Sequence, residues 1–195
     1  MVSNSEVFLN AHRICPKCHF DLRTDDVKAQ ENHISIYTDG SCLDNPGPGG
    51  YCAVILNPDG THTEVAGGEA NTTNNQMELQ AAIAALEKYA SSARTKLRIV
   101  SDSEYLIKGM LQWVPGWERR GWRKADGKPV LNKDLWQRLV NLARLHDIKW
   151  VWVKGHDGNR FNELANRRAL EEAEKIKFAR PSRASAKLLR AEATA

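Results

Sequence analysis

The chain of 195 residues is 42% hydrophobic and 27% charged, enough for one core with short appendages and too little for two domains. Twenty-eight Lys and Arg against 24 Asp and Glu leave a net charge of +4, which permits a polyanionic partner without demanding one. The longest apolar runs, Tyr51 to Leu56 and Ala81 to Leu86, are six residues each, far short of the roughly 20 that a membrane span requires; the first dozen residues carry no secretory pattern and four cysteines are too few for a disulfide scaffold, so a cytoplasmic address and no membrane partner are expected.

Residues 1–32 show no sustained period and read as a short N-terminal appendage. From His33 the texture changes. Ile34, Ile36 and Tyr37 lead a strand into Thr38-Asp39-Gly40-Ser41, and a Pro/Gly loop follows from Asn45 to Gly50. Tyr51 to Leu56 is a second strand, Asn57-Pro58-Asp59-Gly60 a turn, and Thr61 to Ala70 a third strand. Thr72-Thr73-Asn74-Asn75 supplies helix-capping residues, and Leu79, Ile83, Leu86 and Ala90 recur at helical spacing through Tyr89. Leu97 to Val100 is a short fourth strand ending at Ser101-Asp102-Ser103, where a helix from Glu104 to Leu111 begins. An amphipathic helix from Asn132 to Leu145, a strand from Ile148 to Val153 and a helix from Asn162 to Lys177 complete the pattern. The order predicts an α/β fold: a mixed five-stranded sheet, three antiparallel strands then two parallel, flanked by helices on both faces. The expected domain spans 33–178 with a basic protrusion at 113–131, and 179–195 reads as a basic, disordered tail.

Asp39, Glu78 and Asp102 each stand where an element starts or ends, or on the first turns of a helix. A lone acid in such a place is most often a cap or a surface charge. Three together, with Asn162 as a fourth polar candidate, repel one another unless a cation is present, and hard oxygen ligands favour Mg²⁺ or Mn²⁺ over zinc.

The runs Tyr37-Thr38-Asp39-Gly40-Ser41-Cys42-Leu43-Asp44-Asn45-Pro46-Gly47-Pro48-Gly49-Gly50-Tyr51, Thr73-Asn74-Asn75-Gln76-Met77-Glu78-Leu79, Ser101-Asp102-Ser103-Glu104-Tyr105 and Trp152-Val153-Lys154-Gly155-His156 resemble type 1 ribonuclease H of the bacterial kind over about residues 33 to 175. The resemblance implies a ribonuclease H-like fold and an endoribonuclease that cuts the RNA strand of RNA/DNA hybrids, leaving 5′-phosphate and 3′-hydroxyl ends. It further implies two divalent ions, Mg²⁺ with Mn²⁺ as a substitute, held by Asp39, Glu78, Asp102 and a fourth acid near the start of the last helix. In this sequence that acid is Asn162, an oxygen ligand without charge, with Asp157 on the preceding loop as a substitute carboxylate and Glu163 turned about 100° away along the helix. By the same resemblance His156 is a proton shuttle or product-releasing group, although a His after a strand is more often a solvated loop residue.

The segment Trp113 to Arg138 holds seven basic and three acidic residues with four Trp interleaved. Trp136 on the amphipathic helix reads as core. Trp113, Trp117, Arg119, Arg120, Trp122, Arg123 and Lys124 read as a surface for a phosphate backbone and deoxyribose faces; in the resemblance this protrusion grips the DNA strand. Telling RNA from DNA needs groups that meet 2′-hydroxyls. By resemblance Cys42, Asn45, Asn74, Asn75 and Gln76 line that groove, and Thr73 and Asn132 lie near the DNA phosphate; Glu104 replaces a common neutral amide.

His12, Cys15, Cys18 and His19 form an H-x-x-C-x-x-C-H cluster. It offers a half-site for zinc, weighed against solvated thiols in a reducing compartment, which the adjacency of Cys18 and His19 favours. The expected protein is a monomeric ribonuclease H. The competing readings are a hybrid-binding protein whose catalysis is weakened or lost at Asn162, and another nuclease or transposase on the same fold.

Overall fold

The computed structural model of the chain describes residues 33–155 and 158–179. The N-terminal Cys/His cluster, His156 and Asp157, and the tail from Arg180 lie outside the described residues. Five strands, β1 (Ile34–Cys42), β2 (Gly47–Leu56), β3 (His62–Thr72), β4 (Lys96–Ser101) and β5 (Asp147–Trp152), form one sheet in the order β3-β2-β1-β4-β5. The β1–β2 and β2–β3 pairs are antiparallel and the β1–β4 and β4–β5 pairs parallel, as the pattern of strands and crossover helices requires.

The helices are α1 (Asn74–Glu87), α2 (Glu104–Lys108), a π-helical turn (Gly109–Trp113), α3 (Val114–Arg119), α4 (Lys133–Ala143) and α5 (Arg160–Ala179). Side-chain alternation along β1 splits the core between the two faces of the sheet. Ile36 joins Leu79, Ile83 and Leu86 of α1 and Trp136, Leu139 and Val140 of α4 in the larger cluster. Tyr37 joins Cys52, Val54 and Leu56 of β2 and Ala165 and Ala169 of α5 in the smaller. Covered on both faces, β2 carries a continuous apolar run from Tyr51 to Leu56, with Ala53 and Ile55 in the larger cluster and Cys52, Val54 and Leu56 in the smaller. Among the described residues no helix is long and apolar enough to cross a membrane.

Three expectations need correction. The Pro/Gly run read as a loop is strand from Gly47 onward, pairing Gly49 and Gly50 with Cys42 and Ser41. A Cβ at Gly50 would collide with the backbone of α5 at Ala169 and Ala173, so this glycine serves close approach and not a turn. The first helix ends at Glu87, with Tyr89 and Ala90 in the turns that follow. The helix expected to run from Glu104 to Leu111 is α-helical only to Lys108 and then widens into the π turn. Pro115, at the start of α3, lacks an N–H and would crowd the carbonyl four residues back in a continuous α-helix. Trp117 and Trp122 are partly buried, packing one side against the larger cluster.

Candidate active site

The parallel pairing of β1 with β4 covers Ile34 to Tyr37, whereas the antiparallel pairing with β2 continues to Cys42. Past Tyr37 the β4 side of β1 is therefore edged by side chains instead of a strand. Asp39 sits on that stretch, and Asp102 follows the last residue of β4. Glu78 reaches the same place from α1. A Cβ at Gly40 would collide with the backbone of Met77 and Glu78, so the bare glycine lets the helix lie against the strand and sets Glu78 beside Asp39. The cap of α1 fixes the helix start: Thr73 and Gln76 form a capping box, with the Gln76 Oε1 accepting from the Thr73 N–H at 2.9 Å.

One carboxylate oxygen from each of Asp39, Glu78 and Asp102 lies within 4.8 Å of the others. Asp39 and Glu78 are buried, 3% and 5% exposed. Burial pushes the Glu78 carboxyl well above its usual range, and the charges of Asp39 and Asp102 push it further, against the opposing pull of hydrogen bonds from the Gly40 backbone and the Asn74 side chain.

Asn162 completes the cluster. Asn159 caps α5 by accepting the Asn162 N–H at 3.2 Å, which seats Asn162 in the first turn facing the acids. It is 3% exposed, and its Nδ2 donates to Oδ2 of Asp102 at 3.3 Å. Glu163 is exposed, as the helical period requires, and lines a separate groove with His62, Glu64, Arg160 and Arg167.

These residues fit a hard divalent cation. Glu78 Oε2 and Asn162 Oδ1 are buried without a hydrogen-bond partner, a state that costs about 1–3 kcal/mol per group unless something else satisfies it. Clustered buried oxygens, mostly anionic and without thiol or imidazole, are the donor set of Mg²⁺ or Mn²⁺.

A groove of about 380 Å³ is lined by Asn75, Tyr105, Trp113, Trp117, Lys124, Val130, Leu131 and Asn132. Of the residues expected to meet a nucleic acid, the structure gathers Asn75, Trp113, Trp117, Lys124 and Asn132 here. Tyr105 was not foreseen; its hydroxyl accepts from Trp136 Nε1 at 3.0 Å and from Asn132 Nδ2 at 3.2 Å, which holds Asn132 in its left-handed conformation at φ 55°. Arg119, Arg120 and Arg123 are exposed on the adjoining protrusion. Trp122 has φ 63°, an uncommon state for a bulky residue, held by its N–H to the Trp117 carbonyl at 2.7 Å.

Between the acids and this groove, Asn45 Oδ1 accepts from the Asn74 N–H at 3.3 Å, and the Cys42 thiol donates to the Asp44 carbonyl at 2.8 Å. The Oε1 of Gln76 is engaged by the helix cap, so any contact it offers outward is through its NH₂ group. Gly40, Gly155 and Asn159 also shape the site; only Asn159 carried a readable signal, a capping residue ahead of a helical run.

A sheet of this order with carboxylates where β1 and β4 diverge is a ribonuclease H-like fold. A family model described as RNase H matches residues 31–174, and the chain belongs to the ribonuclease H family. It is 53% identical over 138 residues to the ribonuclease H of Maricaulis maris, an alignment covering 71% of this chain and 91% of that one. The crystal structure of LC9-RNase H1, described as a type 1 RNase H with the type 2 active-site motif, superposes with a TM-score of 0.67 at 34% identity and 74% coverage of each chain. LC11-RNase H1, solved in complex with an RNA/DNA hybrid, gives a TM-score of 0.53 at 26% identity, covering 71% of this chain and 97% of that one.

Proposed function

We propose that this protein is an endoribonuclease that hydrolyses the RNA strand of RNA/DNA hybrids, with divalent cations held by Asp39, Glu78, Asp102 and Asn162. The observation that carries the reading is the convergence of three carboxylates and one amide oxygen, two of their atoms buried and unsatisfied. When bound, Mg²⁺ ions supply charge that acidifies the attacking water and neutralises the leaving 3′ oxygen. Asp39, Glu78, Asp102 and the Oδ1 of Asn162 would hold the ions, Glu78 and Asp102 would also orient water and RNA, and the Asn162 NH₂ steadies Asp102. Cys42, Asn45, Asn74, Asn75 and Gln76 offer neutral donors and acceptors to 2′-hydroxyls, the groups that distinguish RNA. Thr73, Asn132, Trp113, Trp117, Trp122 and the basic residues Arg119, Arg120, Arg123 and Lys124 hold the DNA strand. His156 moves a proton or releases product. The molecule acts as a monomer in the cytoplasm.

The neutral Asn162 favours a second reading, a hybrid-binding protein with weakened catalysis. Against it, a pure binder gains nothing from clustered negative charge beside phosphates. End-labelled RNA/DNA hybrid, double-stranded RNA and double-stranded DNA incubated with protein and Mg²⁺ or Mn²⁺ decide between them. Cutting of the hybrid's RNA strand alone supports the enzyme; retention of hybrid without cutting supports the binder.

A further inference from the structure

Asp102 stands between two regular hydrogen-bond ladders, since β4 ends at Ser101 and α2 begins at Glu104. Its carbonyl accepts a hydrogen bond from the indole Nε1 of Trp152 at 3.1 Å. Trp152 is the last residue of β5 and pairs in register with Ser101, so the indole reaches from the neighbouring strand to the peptide that follows the acid. Holding that peptide plane fixes the ψ angle of Asp102 and, with it, the direction in which the carboxylate leaves the main chain. The connection that follows β5 also bounds the carboxylate itself: a Cβ at Gly155 would stand 2.7 Å from Asp102 Oδ2.

Trp152 is 49% exposed. A tryptophan half in water gains only part of the burial that makes the residue valuable, and its polar tip is spent on one carbonyl beside the acid cluster. Ligand groups that sit about 1 Å out of place lose much of their effect, and Asp102 lacks a helix or strand of its own to hold it.

We propose that Trp152 is a positioning residue for the cation site, acting on Asp102 through the indole N–H; the proposal rests on the reading of Asp102 as a cation ligand. Trp152→Phe keeps a ring and removes the donor. Replacement of Trp152 by benzothienylalanine, the isostere with sulfur in place of the N–H, removes the donor and leaves the shape. Mn²⁺ binding to the full-length, substrate-free protein is measured by titration calorimetry, and hybrid cleavage is measured against Mn²⁺ concentration. Both variants are expected to bind Mn²⁺ about 3- to 10-fold more weakly, the range a lost hydrogen bond gives, and to raise the half-saturating Mn²⁺ concentration by the same factor, with KM for the hybrid unchanged. Parental Mn²⁺ affinity in the isostere variant overturns the proposal even if its Tm falls, because the indole would then serve only to hold the strand end. Asp102→Asn is the control: parental Mn²⁺ binding there would sink the site reading itself, a failure distinct from parental binding in the Trp152 variants alone.

Discussion

Asn162 donates its Nδ2 to Oδ2 of Asp102 at 3.3 Å, across 60 residues of sequence. An amide can give that proton and still present its Oδ1 to a cation. A carboxylate at the same place can only accept, and it would face Asp102 as a like charge.

Asn162→Asp is therefore expected to lower the Tm of the metal-free protein in EDTA at neutral pH, by about 1–3 kcal/mol of stability, the cost of an unpartnered buried polar group. Added Mg²⁺ should restore it, and half-maximal cleavage should need less Mg²⁺ than the parent while the maximal rate changes little. Coincident melting and Mg²⁺ curves for variant and parent would place Asn162 outside the cation site.

Glu78 gives a pH dependence of stability with a definite sign. Its carboxyl in the folded protein lies well above the usual carboxylate range, chiefly through burial and then through Asp39 and Asp102. The folded state thus keeps a proton that the unfolded state releases. The contribution to stability is full below about pH 4.5, the unfolded value, and is lost as pH rises through the folded value. In EDTA, Glu78→Gln should melt higher than the parent at pH 8, with the difference shrinking toward pH 4. A constant difference across that range would mean that Glu78 does not titrate against its neighbours.

Asp39→Asn, Glu78→Gln and Asp102→Asn should each reduce hybrid cleavage on the order of 100-fold or more, since even outer partners of metal ligands cost 10–100-fold. Hybrid binding, measured by filter retention in EDTA, should survive in all three. Undiminished cleavage in any two would remove the cluster from the chemistry.

Gly40→Ala should damage both stability and activity although the added group is a single methyl. The new Cβ meets the backbone of Met77 and Glu78, and backbone cannot swing aside as a side-chain tip can. A loss of about 1–3 kcal/mol in urea unfolding is expected, together with a higher half-saturating Mg²⁺ concentration for cleavage as Glu78 is pushed from Asp39.

Replacing Arg119, Arg120, Arg123 and Lys124 with Ala should weaken hybrid binding and flatten its salt dependence, by up to about 0.9 in the log–log slope per lost phosphate contact. An unchanged slope would take the protrusion out of the interface.

The mixed five-stranded sheet and the three acids were legible because each left a local mark: an apolar run with a turn signal, a capping cluster, an acid at a strand end. Trp136 was legible as core for the same reason, lying on an amphipathic helix. The close approaches were not legible. Gly40, Gly50 and Gly155 look like punctuation in a sequence, and only the partner backbone or side chain across the gap shows that each makes room for another element. The π turn was hidden because its cause, Pro115, lies beyond the segment it distorts. The partial burial of Trp117 and Trp122 was not legible, because it is decided by packing against residues remote in sequence. The bond from Trp152 to Asp102 links residues 50 apart and has no local signature.

The helix α5 buries Ala165, Ala169 and Ala173 and comes so close to β2 that only glycine fits at position 50. The buried apolar positions of α5 carry methyl groups alone, where α1 buries Leu79, Ile83 and Leu86. Free energy of burial scales with apolar area, so methyl groups hold α5 less firmly than side chains of the size found on α1 would, which favours a partial opening there below the global one. Asn162 travels with it, while Asp39, Glu78 and Asp102 stay on the remaining scaffold. A cation that uses Asn162 binds the closed form in preference to the opened one and by mass action shifts that balance. Amide exchange along α5 would then slow as Mg²⁺ is added, more than that of α1 and β1.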